Sequence, residues 1–346
     1  MEHLRSKFHE ALGAEANLYV RDGQVFIRGR NWAPEDVLKA VSPEEYASIF
    51  QEWIDDRKQE LLGRADAFLA AYDQEDRFNA LKVAYDRDAV FPFVGAGLSQ
   101  PSGYLGWTQF LRRVRRQTAI PEATFEELLR NGEYEEAAQQ LHNALGVQFD
   151  EEVENTYGID RPLNGPVQLL PIAFPKAAFT TNFDNVLKRC YENNGHPFSD
   201  TITGPELIEL PRLIGANQPV LVKLHGKATS GRGRALTSRE YDAAYTPEAP
   251  LRRSVECMCG RTLLFLGCSL SIDRLVSEIA AFVEAQGHQN CSRHYALLAY
   301  HEDEATRQAR RAALARCNIY PIWYPADEHD ESIEALLYKL MEDSQQ

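Results

Sequence analysis

The chain of 346 residues is 44% hydrophobic and 25% charged. These are globular values that exclude collagenous, disordered and low-complexity classes and leave ample length for a buried core. Lys plus Arg number 37 against 51 Asp plus Glu, a formal net charge of −14, which opposes adhesion to nucleic acid or anionic lipid unless the basic residues cluster. The six cysteines stand singly apart from Cys257-Met258-Cys259, so neither a disulfide framework nor a paired zinc-ligand spacing is legible, and reduced thiols in a cytoplasm are expected. The opening MEHLRSKFHEALGAEA lacks an apolar signal core, and no apolar run approaches the about 18 residues of a membrane span.

Residues 1–84 read as an accessory region. In NLYVRDGQVFIR two β-prone runs flank Asp22-Gly23, which accepts the positive φ angles of a hairpin turn. Ser42-Pro43-Glu44-Glu45 then opens a helix with a capping serine and a proline at the first helical position. Tyr46, Phe50, Ile54, Leu61, Leu62, Phe68 and Leu69 continue its apolar stripe to about residue 72. This region carries no cluster of His, Cys or paired carboxylates that could do chemistry, so packing or assembly is its expected role.

From residue 85 to about 330 short strands alternate with helices, and residues 331–346 read as a C-terminal helix and tail. Strands are expected at Ala89–Val94, Lys176–Thr180, Val220–Leu224, Thr262–Leu266, His294–Ala299 and Ile319–Trp323. Helices are expected at Trp107–Gln117, Glu133–Leu145, Asn185–Glu192, Ser271–Ala285 and Glu304–Arg316. The alternation predicts a doubly wound α/β domain, a mainly parallel Rossmann-like sheet covered on both faces. In such a sheet ligands bind beyond the carboxyl ends of the strands.

Four strand ends carry unusual residues. The first runs into Gly95-Ala96-Gly97 with Ser99 behind it, a small-residue turn that lets backbone approach a phosphate, although Gln100 occupies the position of the third glycine of a dinucleotide fingerprint. The second, Thr180-Thr181, delivers Asn182 and Asp184, which share a face in extended backbone and could grip one ligand; taken alone, helix capping is the better explanation. The third presents His225 before Gly226, a side chain able to take a proton near neutral pH. The fourth presents Gly267, Ser269 and Asp273 ahead of a helix.

Gly-Ala-Gly-x-Ser, Thr-x-Asn-x-Asp, His-Gly and Gly-x-Ser in this order, over about residues 85–300, resemble the sirtuin family of NAD-consuming enzymes. The resemblance implies a sirtuin-like fold in which Gly95, Ala96, Gly97 and Ser99 cradle the NAD pyrophosphate. It also implies that Asn182 holds the nicotinamide ribose and the attacking group, with Thr181 beside it, that Asp184 holds the carboxamide, and that His225 is the general base. Gly267 and Ser269 would line the adenosine side. Deacylating sirtuins carry two Cys-x-x-Cys pairs after His-Gly and read Ser-Gly-Ile-Pro-Asp-Phe-Arg after Gly-Ala-Gly. Here no Cys-x-x-Cys exists, and the second segment reads Ser102-Gly103-Tyr104-Leu105-Gly106-Trp107.

Trp107, Thr-Thr-Asn-Phe-Asp and Gly-x-Ser-x-x-x-Asp ending at Asp273 look like the sirtuin-like effectors of bacterial antiphage defence, which hydrolyse NAD to nicotinamide and ADP-ribose. That resemblance implies NAD as substrate, no zinc, and a cytoplasmic protein held in check as a homo-oligomer or in a complex with a sensor or activator of a defence operon. Rival readings are ADP-ribosyl transfer, protein deacylation, and a noncatalytic subunit that binds NAD or ADP-ribose. The arginines Arg112, Arg113, Arg115 and Arg116, and Arg232, Arg234 and Arg239, are expected to pair with acids rather than bind nucleic acid directly.

Overall fold

The computed structural model describes residues 4–14, 20–21, 24–27, 30–270 and 274–342. The chain divides into two compact units, Met1–Asp66 and Ala67–Gln346.

In the first unit, strands β1 (Val20–Arg21), β2 (Gln24–Ile27) and β3 (Arg30–Trp32) form an antiparallel sheet, so the expected hairpin is extended by a third strand. The turn residues Asp22 and Gly23 lie outside the described residues. Ser42 closes the helix Pro34–Val41, its N–H donating to the Leu38 carbonyl, and Pro43 starts the next helix, Pro43–Ala71. Tyr46, Phe50 and Ile54, one turn apart on that helix, bury against Leu4 and Phe8, the i, i+4 spacing placing them on one face. The Phe8 ring meets Phe50 at 5.0 Å and the edge of Tyr46 at 5.6 Å between centroids.

The second unit holds a seven-stranded, all-parallel sheet. Its strands are β4 (Val90–Val94), β5 (Ala177–Thr180), β6 (Asp200–Thr203), β7 (Val220–Lys223), β8 (Thr262–Leu266), β9 (His294–Ala299) and β10 (Ile319–Tyr324), in the order β10-β9-β8-β4-β5-β7-β6. This is the α/β Rossmann-like sheet that the alternating texture predicts. Every residue of β4, β5 and β7 is buried, as expected of parallel strands covered on both faces.

The strand absent from the sequence reading is β6, at the sheet's edge. Only Ile202 of its four residues is buried, so it carries neither the apolar run of a central strand nor a clear alternation. Pro92 lies within central β4, yet β4 pairs with β8 over Val90–Val94 and with β5 only at Phe93 and Val94. The proline thus falls where the ladder is one-sided, which its missing N–H requires.

At the opposite edge the buried Gln74 serves as a surrogate partner for β10. Its amide donates to the Trp323 carbonyl at 2.5 Å and its carbonyl accepts from the Trp323 N–H at 2.8 Å. Covering an edge in this way removes a template for strand addition. The helix His329–Met341, which contains most of the predicted C-terminal segment, buries Ile333, Leu336, Leu337 and Leu340. Arg112, Arg113, Arg115 and Arg234 each pair with a carboxylate, namely Glu126, Glu152, Glu122, and both Asp150 and Glu240.

His294 at the start of β9 is fully buried; its Nδ1 accepts from the Leu263 N–H at 3.1 Å, while Nε2 has no partner among the described residues. Burial lowers its pKa to about 4. The unfolded chain therefore takes up a proton at this site at higher pH than the folded one, so its contribution is present above the ordinary histidine range and declines as pH falls from about 6.5 toward 4. We expect the melting temperature to drop between pH 7 and pH 5. His294→Asn, which keeps an acceptor near the Nδ1 position, should melt lower at pH 7 but with a shallower decline, and an unchanged slope in calorimetry would exclude His294 as a source of the pH dependence.

Candidate active site

From β4 the chain passes to β5 and the β6 edge, returns to insert β7, and then crosses to the other side of β4 for β8, β9 and β10. The reversal places the switch point between β4 and β8, where the crevice of a doubly wound sheet opens. The two loops leaving these strands are bound to each other. Gly95 N–H donates to the Leu266 carbonyl at 2.8 Å and Gly97 N–H to the Gly267 carbonyl at 2.9 Å. A Cβ on Gly95 would lie 2.4 Å from the Gly267 oxygen, and Gly267 itself has φ +63 with Leu98 packed against it. These glycines are thus required by loop-to-loop packing, and the amides of Gly95 and Gly97 are engaged within the protein. Beyond them the chain makes short 3₁₀ turns at Ala96–Leu98 and Gln100–Ser102 before the helix that begins at Trp107.

The β5 end is built around Thr180, Ser99 and Lys223. Thr180 Oγ1 donates to the Val94 carbonyl at 2.7 Å and accepts from the Asn182 N–H at 2.9 Å, tying β5 to β4. The Asn182 amide donates to Ser99 Oγ at 3.2 Å, and Ser99 also hydrogen-bonds the Asp184 carboxylate. Asp184 Oδ1, one residue ahead of the N-cap Asn185, accepts from the Val186 N–H at 3.0 Å at the start of the helix Val186–Asn193. Burial raises the Asp184 carboxyl above its ordinary range, against the opposing influence of Lys223, backbone N–H groups and Ser99. The Lys223 ammonium, lowered by burial to about 8, donates to the carbonyls of Phe183 and Asp184 at 2.9 and 2.6 Å. It clamps the loop from beneath. Thr181 is half-buried and faces the cavity beside Asn182.

His225, beyond the end of β7, is buried with both ring nitrogens engaged. Nε2 lies 2.9 Å from the Tyr245 hydroxyl and Nδ1 3.2 Å from that of Tyr241. Burial lowers its pKa to about 3, so the ring is neutral at physiological pH. Trp107 contributes an aromatic wall, stacked on Phe110 at 5.2 Å and near Phe183 and Tyr157.

A single cavity of about 1910 Å³ gathers Gly95, Ala96, Gly97, Ser99, Trp107, Thr181, Asn182, Asp184, His225, Gly267 and Ser269. It exceeds the roughly 300–1,000 Å³ of a drug-sized site and suits a dinucleotide. Asp273 lies outside the described residues. Lys223, Tyr241 and Tyr245 escaped the sequence reading. The signals were a lysine inside the apolar run Val220–Leu224 and two tyrosines four apart in SREYDAAY, the second visible only as a helical spacing. Among the described residues no group of three or more His, Cys, Asp or Glu is arranged to hold a metal, and no helix is long and apolar enough to cross a membrane.

Residues 176–322 match the SIR2-like domain family. That range includes β5 through β9 and the strand ends carrying Asn182, Asp184, His225, Gly267 and Ser269; the Gly95-Ala96-Gly97 loop precedes it. NAD(+) hydrolase ThsA of Acinetobacter baumannii (strain 532279) is 26% identical over 212 residues, covering 59% of this chain and 41% of that protein. The chain therefore spans about two-fifths of that relative's length. The switch-point cavity and the ordered strand-end motifs thus lie in a chain whose residues 176–322 are similar to the SIR2-like domain family.

Proposed function

We propose that this chain hydrolyses NAD, breaking the N-glycosidic bond between nicotinamide and ribose to give nicotinamide and ADP-ribose. The observation that carries the reading is the convergence of Asn182, Asp184 and His225 with the glycine loops of β4 and β8 on one dinucleotide-sized cavity. The similarity to a protein named as an NAD(+) hydrolase supports the same chemistry. Nicotinamide departs from a cationic ring and leaves as a neutral molecule, so no acid need protonate it, unlike the leaving oxygen of an O-glycoside. The transition state is oxocarbenium-like, and the protein's task is to hold the ribose, exclude bulk water and admit one attacking water.

Asn182, held by Ser99 and by the clamped β5 loop, would orient the ribose hydroxyls and the water. Asp184, kept by burial from full acidity, would accept from or donate to the carboxamide. His225 would receive the proton that leaves the water or a ribose hydroxyl. ADP-ribosyl transfer uses the same site with another acceptor. The resemblance to antiphage effectors extends the proposal to depletion of cellular NAD in a cytoplasmic defence system, with Residues 1–84 serving assembly or access to the site, and with a homo-oligomer or an activating partner controlling turnover.

Asn182→Ala removes one side-chain hydrogen bond at a half-buried position. We expect nicotinamide release to fall by about 100-fold or more while the melting temperature shifts by only a few degrees. Normal turnover by the folded variant would overturn the assignment. His225→Ala should lose activity as well, and because it strands the hydroxyls of Tyr241 and Tyr245 it should also melt lower. Elemental analysis of the purified protein should find no stoichiometric zinc; one zinc per chain would revive a deacylase reading.

A further inference from the structure

The proposed reaction gives His225 a proton to receive, yet although the ring lines the cavity, both of its nitrogens are engaged by tyrosine hydroxyls. A neutral imidazole offers one N–H and one lone pair. Tyr245 occupies Nε2 and Tyr241 occupies Nδ1, so in either tautomer one tyrosine donates to the ring and the other accepts from it. The two tyrosines differ in where they stand. Tyr245 is buried and does not line the cavity, whereas Tyr241 is half-buried and does.

Tyr241 is also held from several sides at the cavity wall. Its ring stacks on Tyr245 at 5.6 Å with an interplanar angle of 13°, one helical turn away. The Arg274 guanidinium lies 5.6 Å from its centroid and is itself fixed by Glu135 and Asp242. Such a cation over the ring is attractive and restricts the ring's motion. The helix Ser238–Ala244 that carries Tyr241 begins with a capping box between Thr237 and Glu240, and Glu240 is paired with the buried Arg234. The hydroxyl is therefore aimed by packing on several sides, and His225 supplies the acceptor at its end.

We propose that Tyr241 is the group through which His225 meets the ligand: its hydroxyl touches a ribose hydroxyl or the attacking water, and His225 is a positioning residue behind it. With the Nε2–H tautomer donating to Tyr245, Nδ1 accepts the Tyr241 proton, and the Tyr241 oxygen meets the ligand as a hydrogen-bond acceptor. If a proton moves, it passes from the ligand O–H to the Tyr241 oxygen while the Tyr241 proton passes to Nδ1, leaving an imidazolium and an oxyanion on the ligand. The burial that keeps His225 neutral disfavours a long-lived imidazolium, so the resting function of the pair is to hold the Tyr241 hydroxyl in one orientation.

The inference rests on the NAD-cleaving reading above, and its test separates the two. Nicotinamide release and ADP-ribose affinity are measured for the full chain, Tyr241→Phe, Tyr245→Phe, His225→Asn and the double variant Tyr241→Phe/His225→Asn, each checked for folding by melting. Tyr241→Phe, which keeps the stack and the cation contact, should lower kcat by about tenfold or more with a smaller change in KM, and by more than Tyr245→Phe does. If His225 acts through Tyr241, the double variant should lose no more than the worse single variant, because residues acting as a unit are not additive. Wild-type kcat in Tyr241→Phe, or a double variant whose loss is the product of the two single losses, would overturn the inference. A wild-type chain that releases no nicotinamide would instead overturn the proposed reaction. The inference is then decided by ADP-ribose affinity, weakened in Tyr241→Phe if it holds and equal to wild type if it does not.

Discussion

The mutual grip of the loops after β4 and β8 is the constraint on which the rest of the molecule depends. Two backbone hydrogen bonds, from Gly95 to Leu266 and from Gly97 to Gly267, lock together the strands between which the chain reverses its direction across the sheet. There is no room at this contact for even a methyl group. Because the sheet is closed here, the crevice opens beyond the strand ends, and the ends of β5 and β7 deliver their side chains into it. Phosphate-loop chemistry alone would not demand glycine at both Gly95 and Gly267; close approach of two backbones does.

A second theme is desolvation. Asp184, Lys223 and His225 are all buried, and burial is the largest influence on each, raising the acid and lowering the two bases. Each shift disfavours the charged form. What keeps these groups in place is hydrogen bonding. Asp184 accepts the first N–H of a helix and meets Ser99, Lys223 binds two carbonyls, and His225 sits between two hydroxyls. The capping and ligand-binding readings of Asp184 are therefore compatible, since one carboxylate oxygen serves the helix start while the residue lines the cavity. Fixing a loop by such bonds before a ligand arrives reduces the ordering that binding must impose.

In the sequence, apolar runs of four to six residues followed by small or polar residues were enough to place six of the seven strands of the large sheet and the four strand ends that meet at the cavity. Runs such as FPFV and TLLFL are short, apolar throughout and bounded by turn residues, which fits a strand buried on both faces, as in a parallel sheet. The edge strand β6 was not legible, since an edge strand buries little and its Asp200-Thr201-Ile202-Thr203 looks like loop. Nor was the partnership of His225, because Tyr241 and Tyr245 are 16 and 20 residues away, on and just past a short helix that its capping box and the tyrosine spacing mark as a helix but not as a partner of β7.

The sequence by itself determined which residue types stand at the carboxyl ends of buried strands, hence the class of fold and the side chains available for chemistry; hydrophobic burial is a local property of each run and can be read without knowing its neighbours. The tertiary structure alone decided the strand order, and with it which loops touch. It turned Gly95 and Gly267 into a packing contact, Lys223 into a clamp beneath Asn182 and Asp184, and His225 into a buried neutral ring between the hydroxyls of Tyr241 and Tyr245. Those outcomes depend on distances between segments far apart in the chain, where close packing and loss of water set hydrogen-bond partners and ionisation together.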